Sequence, residues 1–179
     1  MNNIEIKTPV RDLASLLRHV DALGAEFTWE HRQRDVFFHV REGYLKLRLV
    51  ADEPPELIAY AREPGTKPRP SDYDIARGGD GVALETALTR SLGVRGVVEK
   101  TRRLYVWEHT RLHIDEVAGL GTFLELETVV RDITMDEARA ETDRVIAALK
   151  LDAADFLDRP YLELLEGVKR WTRDTPVGS

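Results

Sequence analysis

A short charge pattern recurs along this chain of 179 residues. Inside strand-like runs, two charged residues flank one central residue, which is usually apolar. The pattern occurs at Glu5-Ile6-Lys7, Lys46-Leu47-Arg48, Asp72-Tyr73-Asp74, Lys100-Thr101-Arg102 and Glu125-Leu126-Glu127. In a β-strand, side chains at positions i and i+2 point to the same face, so the two charges of each pair project together. The pattern therefore predicts a sheet with one largely apolar face and one face of clustered charge.

Cap and turn residues predict about eight strands and three or four helices. The clearest helical stripe ends at Gly24, with Thr8 as its predicted N-cap and Pro9 in its first position. A capping box of Thr134 and Glu137 begins a later helix. The predicted strands cover 2–7, 25–39, 44–50, 56–62, 71–76, 94–107, 111–117 and 122–130, and the further helices cover 80–92, 134–149 and 161–165.

This order of elements predicts an α+β fold, because most strands are joined by short turns and pair antiparallel, with the helices packed outside. Eight strands are enough to close a barrel around side chains or one small ligand. We assign residues 1–167 to a single domain and expect residues 168–179 to form a flexible tail.

Composition narrows the classes of protein and site. The chain has no cysteine, which excludes disulfides and thiolate metal sites. No apolar run approaches the ~20 residues needed to cross a bilayer, so we expect a cytoplasmic protein without a membrane partner. The formal net charge of −6 argues against a nucleic-acid partner, since nucleic-acid-binding domains are usually basic.

The charged face has a simple explanation and a functional one. An ordinary solvated sheet face, with opposite charges paired across strands, would also carry charged residues. Two features favour a binding site instead. The charges are sorted by strand, since Lys46/Arg48 and Lys100/Arg102 are basic whereas Asp72/Asp74 and Glu125/Glu127 are acidic. Like charges at i and i+2 also repel one another, so a purely structural face gains nothing by repeating them.

The two sets of charge together suit phosphate chemistry. Arginine and lysine form charge-assisted hydrogen bonds to a polyphosphate, and the guanidinium group can bind it bidentately. Carboxylates repel phosphate unless a hard divalent ion such as Mg²⁺ or Mn²⁺ bridges them to it. The histidines are scattered along the chain, and Gly78-Gly79-Asp80-Gly81 lacks the Lys-Ser/Thr ending of a P-loop.

Taken in their order along the chain, the charged motifs resemble those of the CYTH family, the triphosphate tunnel metalloenzymes. This family includes class IV adenylyl cyclases and thiamine triphosphatases. The matching stretches are Asn3-Ile4-Glu5-Ile6-Lys7, Leu45-Lys46-Leu47-Arg48, Tyr60-Ala61-Arg62, Ser71-Asp72-Tyr73-Asp74, Lys100-Thr101-Arg102, His113-Ile114-Asp115 and Glu125-Leu126-Glu127. The stretches around Asp35-Val36-Phe37-Phe38, 114–121 and 160–165 look most like the class IV cyclase branch.

The resemblance implies a closed eight-stranded antiparallel β-barrel, the triphosphate tunnel, with helices packed outside. It implies a Mg²⁺- or Mn²⁺-dependent enzyme acting on a small molecule that bears a triphosphate. The implied substrate-binding residues are Lys46, Arg48, Arg62, Lys100 and Arg102, the metal-binding residues are Glu5, Glu125 and Glu127, and the catalytic residues are Lys7 and Asp115. Asp115 is also a further candidate for the metal, and an ion pair with Glu5 or a neighbour is an equally good explanation of Lys7.

The chain departs from the family pattern in one consequential place. Asn3 stands where the family has the first glutamate of its E-x-E-x-K strand, which removes one negative charge beside the metal site. The leading hypothesis is a class IV cyclase-like enzyme that converts ATP to cyclic AMP and pyrophosphate. Two alternatives stay open: a triphosphatase for thiamine triphosphate, inorganic triphosphate or nucleotide, and a non-catalytic triphosphate-binding module. A homodimer is an option that the residues leave undecided.

Overall fold

The computed structural model describes residues 3–61 and 72–174. Its strands are β1 (Asn3–Pro9), β2 (Glu26–Phe38), β3 (Tyr44–Val50), β4 (Glu56–Ala61), β5 (Asp72–Arg77), β6 (Val94–Trp107), β7 (Thr110–Val117) and β8 (Gly121–Val129). Its helices are α1 (Leu13–Leu23), α2 (Gly81–Leu92), α3 (Met135–Ala148) and α4 (Tyr161–Asp174), and a short 3₁₀ helix covers Ala153–Asp155. The predicted α+β class is confirmed for these residues.

All eight strands form one curled antiparallel sheet in the order β1-β8-β7-β6-β2-β3-β4-β5. The predicted closed barrel is wrong, because the sheet is an open half-barrel whose outer strands are β1 and β5. Part of the free edge of β1 is already occupied. The backbone N–H of Leu157 donates to the carbonyl oxygen of Lys7 at 2.8 Å, in an antiparallel bridge. A strand that paired with β1 at this position would have to displace that segment.

The apolar face of the sheet is convex and is covered by helices. Leu16 and Val20 of α1 and Val145 of α3 pack on outward residues of β1, β7 and β8. The outward residues of this cluster are Ile6, Leu112, Ile114, Leu124 and Leu126, all of them buried. A second cluster joins β2 and β3 to α2. Burying this face is the main apolar contribution to folding, at roughly 1.5–3 kcal/mol for each large side chain.

Helix α4 packs on the opposite, concave side. Its residues Tyr161 and Leu162 contact Phe37, Val98 and Phe123, which point inward from β2, β6 and β8. The Tyr161 and Phe123 rings meet edge to face, with their centroids 5.1 Å apart. The concave face is therefore apolar where α4 covers it and charged elsewhere.

Two helix boundaries differ from the predictions. Thr8 and Pro9 belong to β1, and α1 begins only after Asp12, whose carboxylate accepts a hydrogen bond from the Ser15 backbone N–H at 2.9 Å. Gly24 ends this helix as predicted, with the left-handed φ of 78° that favours glycine. The capping box at the start of α3 is also confirmed. Helix α4 continues to Asp174, past the predicted end of that helix, so the proposed domain boundary at 167 falls inside it.

The contact between α4 and the sheet predicts a specific stability effect. A Cβ atom at Gly96 would lie 2.5 Å from Leu162 Cδ1, and Leu162 is itself buried. We expect Gly96→Ala to lower the free energy of unfolding by roughly 1–3 kcal/mol, because the core must shift to accept the methyl group. Urea denaturation followed by circular dichroism measures this effect.

The matched control for that substitution lies in α4 itself. A Cβ atom at Gly167 would meet nothing within 4 Å, so Gly167→Ala should leave stability unchanged or raise it by roughly 0.5–1 kcal/mol. Equal stability of wild type and Gly96→Ala would contradict the tight seat of α4 on β6.

Candidate functional site

The charged face is the inner wall of a cavity of about 1090 Å³. This volume lies just above the range of ~300–1,000 Å³ typical of small-molecule sites. Eight of the sequence-predicted site residues line it: Glu5, Lys7, Lys46, Arg48, Lys100, Arg102, Glu125 and Glu127. An ordinary solvated sheet face does not describe this surface, since Lys7, Lys100 and Arg102 are all at most 7% exposed.

Strand register explains why these side chains converge. Residues that lie directly opposite one another in an antiparallel pair project to the same face. Arg48 lies opposite Asp35, and Arg102 lies opposite Asp115. At the other end of the sheet, β1 sets Glu5 opposite Glu127 and Lys7 opposite Glu125. Each predicted basic residue that the structure describes thus has a carboxylate beside it on the neighbouring strand or within reach.

The basic pair of β3 is held by one aspartate. The Lys46 Nζ atom lies 2.7 Å from Asp35 Oδ2, and Arg48 donates to the same carboxylate from Nε at 2.9 Å and from Nη2 at 3.1 Å. Burial alone would raise the pKa of Asp35, but Lys46 and Arg48 outweigh it and hold that pKa far below its ordinary value. The carboxylate therefore stays ionised and balances part of the positive charge.

The basic pair of β6 has the same arrangement around Asp115. Lys100 Nζ lies 2.9 Å from Asp115 Oδ2, and Arg102 donates from Nε and from Nη2 at 2.6 Å each. Arg102 also contacts Glu125. Asp115 is fully buried, and although burial raises its pKa, Arg102 and Lys100 lower it more. Neither aspartate is directly presented to bulk solvent.

The two lysines are unusual cations. Burial, reinforced by the neighbouring Arg48, lowers the pKa of Lys46 to about 7. Burial and the neighbouring Arg102 lower the pKa of Lys100 to about 8. Their aspartate partners oppose these shifts without cancelling them. A negative charge added to the cavity would therefore stabilise the protonated form of both lysines.

The wall formed by β1, β7 and β8 carries the carboxylates. The side-chain amide of Asn3 donates to Glu127, which also lies 3.3 Å from both Arg111 Nη1 and His113 Nε2. Lys7 Nζ lies 3.0 Å from Glu125 Oε1. Burial raises the pKa of Glu125, but Lys7, Arg102 and Lys100 together lower it more. The mild explanation of Lys7, an ion pair with a neighbour, is thus realised with Glu125.

Lys7 also ties the site to the segment before α4. Its Nζ donates to the Arg159 carbonyl oxygen at 3.2 Å and lies 4.0 Å from the centroid of the Tyr161 ring. This position favours a cation–π contact. Tyr161 therefore forms one end of the cavity beside Lys7 and Lys100.

The donor chemistry of this wall fits a hard divalent ion. Glu5 and Glu127 offer carboxylate oxygens from directly opposite positions, and Glu125 lies two residues from Glu127 on the same face. The side-chain oxygen of Asn3 is buried and has no hydrogen-bond partner. Among residues 3–61 and 72–174, however, no three carboxylate or histidine side chains are already gathered closely enough to hold a metal.

Of the other sequence-predicted charged positions, one is shown not to join the site. Arg62 lies outside the described residues. Asp74 lies opposite Ala59 and is exposed, whereas its neighbours Ile75 and Arg77 line the cavity. The expectation that the Asp72-Tyr73-Asp74 strand adds carboxylates to the binding face is therefore wrong for Asp74. Asp74 falls on the other face of β5 because register, and not charge pattern, decides which residues point inward.

Sequence reasoning missed the contribution of β2 as a site strand. His31, Gln33 and Asp35 all line the cavity and alternate with Arg32 and Arg34. That alternation, continued by the inward Phe37, was the available indication, but the like-charged doublet of this strand, Arg32 and Arg34, lies on the other face. The place of Tyr161 in the cavity depends on the docking of α4, which no local sequence pattern indicates.

None of the helices within the described residues has the combined length and apolar character that a membrane span requires.

Comparison with known proteins gives a consistent picture. A protein of Methanocaldococcus jannaschii, provisionally named an adenylate cyclase, is 27% identical over 172 residues, which covers 92% of this chain and 98% of that protein. A conserved hypothetical protein from Pyrococcus furiosus has a similar structure, with a TM-score of 0.79, 24% identity and coverage of 90% and 99%.

A third relative differs in its described activity. A Hippeastrum protein, provisionally named an adenylyl cyclase but described as having a dominant triphosphatase activity, superimposes with a TM-score of 0.64 at 16% identity. The alignment covers 89% of this chain and 91% of that one. The model of the CYTH domain family matches residues 1–170, almost the whole length of the sequence. The chain therefore belongs to the CYTH domain family.

Proposed function

We propose that this protein is a divalent-metal-dependent enzyme that acts on an organic triphosphate. One observation carries the proposal: two Lys-x-Arg pairs from β3 and β6 share one cavity with a wall of carboxylates from β1 and β8. Phosphoryl chemistry depends mainly on positioning and on stabilising negative charge, and this cavity offers fixed cations for both.

The basic residues would bind the phosphates. Lys46, Arg48, Lys100 and Arg102 reach the cavity from two strands that both pair with β2, so they can contact neighbouring phosphate groups of one chain. Arg111 of β7 adds a further guanidinium to the lining. Arg62 stays a predicted contact. The guanidinium groups would bind bidentately and the lysines as compact point charges.

The carboxylate wall would hold the metal. Glu5, Glu125 and Glu127 are the proposed ligands, since their oxygens match the preference of Mg²⁺ and Mn²⁺. When bound, such an ion polarises phosphoryl oxygens and lowers the pKa of an attacking hydroxyl group or water. Lys7, which contacts Glu125, would orient that ligand, and Lys7 and Asp115 remain the predicted catalytic residues.

Within this function, we favour cyclisation of ATP to cyclic AMP. In that reaction the ribose 3′ hydroxyl gives up its proton to solvent and its oxygen forms a bond to the α-phosphorus. The bond from that phosphorus to the oxygen bridging it to the β-phosphorus breaks, and pyrophosphate leaves. The support is the name of the M. jannaschii relative and the cyclase-like sequence stretches. Hydrolysis is the second candidate, because the Hippeastrum relative is described as mainly a triphosphatase. The two reactions would use the same phosphate and metal contacts.

A product assay separates these reactions. We expect purified protein with ATP and Mn²⁺ to release cyclic AMP and pyrophosphate, resolved by ion-exchange chromatography, and EDTA to abolish turnover. ADP and phosphate would instead support the hydrolase. If ATP, thiamine triphosphate and inorganic triphosphate all remained intact while calorimetry showed tight binding indifferent to Mg²⁺, the protein would be a binding module and the enzyme proposal would be wrong.

Neighbouring arginines on β6 provide a matched pair of variants. Arg102 is buried in the cavity, whereas Arg103 pairs with Glu30 and Glu116 on the other face. We expect Arg102→Gln to lower kcat/KM about a hundredfold to a thousandfold, as for loss of a group that stabilises transition-state charge. Arg103→Gln should change kcat/KM by no more than about twofold. Similar losses in both variants would show that the inner face is not the active one.

The lowered lysine pKa values predict a pH effect on binding. A bound triphosphate favours protonated Lys46 and Lys100, whose pKa values in the free protein are about 7 and about 8. Above these values binding must take up protons, so affinity for inorganic triphosphate should fall as the pH rises from 7 to 9. Calorimetry across that range measures the slope. In Lys46→Arg the cation stays charged, so the slope should be shallower, and identical slopes would contradict the assignment.

The lowered pKa of Lys46 has the opposite pH effect on the stability of the ligand-free protein. Lys46 titrates near 10.5 when unperturbed and near 7 in the fold, so between these values the unfolded chain binds more protons. Lys46 therefore makes the ligand-free fold more stable as the pH rises through that window. Urea denaturation of the ligand-free protein at several pH values measures the pH dependence of stability separately from that of binding.

A further inference from the structure

Among the acidic residues of β2, Asp35 accepts the most side-chain hydrogen bonds. It is 3% exposed and accepts three hydrogen bonds, one from Lys46 and two from Arg48. The phosphate-binding and metal-binding roles proposed above do not assign it any function. A buried carboxylate of this kind is costly unless its partners compensate it, so its place in the cavity wall calls for a reason.

The same arrangement occurs a second time in the sheet. In both cases a Lys-x-Arg pair lies on one strand, and an aspartate lies directly opposite the arginine on the next strand. Both aspartates accept from the arginine Nε and Nη2 atoms and from the lysine Nζ atom. The two sets use unrelated strand pairs, β2/β3 and β6/β7. Their shared geometry therefore reflects a shared task in holding lysine and arginine side chains.

In the β3 set, all three charged side chains line the cavity, and the two cations are more exposed than the aspartate. The side chains of Lys46 and Arg48 are 14% and 18% exposed, whereas that of Asp35 is 4% exposed. Asp35 uses one of the three N–H donors of Lys46 and the Nε/Nη2 edge of Arg48. The remaining donors of both groups are left for other partners, and Arg48 Nη1 lies 3.9 Å from Glu56.

We propose that Asp35 is a positioning residue that fixes Lys46 and Arg48 in the orientation that binds the substrate phosphates, and that it keeps both contacts when the phosphates are bound. Long lysine and arginine side chains lose considerable rotamer freedom when they bind a ligand. An anchor that already restrains them in the free protein removes part of that cost. Asp115 serves Lys100 and Arg102 in the same way. The inference rests on the proposed triphosphate function.

The test compares two ways of removing one negative charge from the cavity. Asp35→Asn removes the anchor, and Glu56→Gln removes a lining carboxylate that touches Arg48 only at 3.9 Å. If Asp35 acted merely as a charge, both variants would bind inorganic triphosphate more tightly. If it positions the cations, Asp35→Asn should raise the Kd roughly tenfold to a hundredfold. Glu56→Gln should lower the Kd or leave it unchanged.

The outcomes separate this proposal from the function on which it depends. Wild-type protein that fails to bind triphosphate overturns the proposed function. Wild-type binding together with equal or tighter binding by Asp35→Asn overturns the positioning role alone. Asp115→Asn provides the comparison with the second set, and a loss of affinity like that of Asp35→Asn is expected. A variant that loses only kcat, with its Kd unchanged, would show that Asp115 acts on the reacting groups instead.

A measurement on the wild-type protein keeps the test decisive if Asp35→Asn does not fold. The Arg48 Nε–H resonance, assigned by its loss in Arg48→Lys, reports the bond to Asp35. We expect this resonance to be present in the free protein and to keep its hydrogen-bonded shift at saturating inorganic triphosphate. A move to the shift of a solvent-exposed guanidinium would mean that phosphate displaces Asp35, and the proposal would be wrong.

Discussion

The compensation of buried charge is the constraint on which this structure depends. Strand alternation sends the charged residues of β1, β3, β6 and β8 to a face that curls inward, where water solvates them less. An unpaired charge in such a place costs several kcal/mol, so each must have a partner. The register supplies those partners by placing Asp35 opposite Arg48 and Asp115 opposite Arg102. The fold can therefore maintain a charged cavity without losing its stability.

The helices offset the free-energy cost of this charged face by burying the apolar face on the other side of the sheet. Helices α1, α2 and α3 bury the apolar side of the sheet, so the hydrophobic core lies outside the curve and the cavity can stay polar. Of the helices in the described part of the chain, α4 alone packs within the curve, where it brings Tyr161 against Lys7. The curvature of the sheet thus places the main hydrophobic core on the convex face and the charged cavity on the concave face.

Much of this plan could be predicted from the sequence. The i, i+2 doublets identified the inner face for Lys46/Arg48, Lys100/Arg102 and Glu125/Glu127, because alternation is a local property of a strand. Sheet closure could not be predicted in this way. It depends on what occupies the edge of β1, and Leu157, which is distant in sequence, lies there. The same limit explains the error at Asp74, since strand register is set by pairing with β4 and not by charge.

The role of Asp35 was missed for a related reason. It stands beside arginine and apolar residues, so it has no charged doublet, and its importance arises only from its cross-strand partner Arg48. Asn3 is the opposite case. It stands out in the sequence because it departs from the family motif, and its structural role follows from its contact with Glu127. A glutamate at position 3 would set a further carboxylate against Glu127, beside Glu5 in the opposite position, and the two would repel each other. The amide donates a hydrogen bond instead, and Arg111 and His113 complete the shell of Glu127. Glu127 consequently has protein partners before any ion binds, and a divalent ion must compete with them.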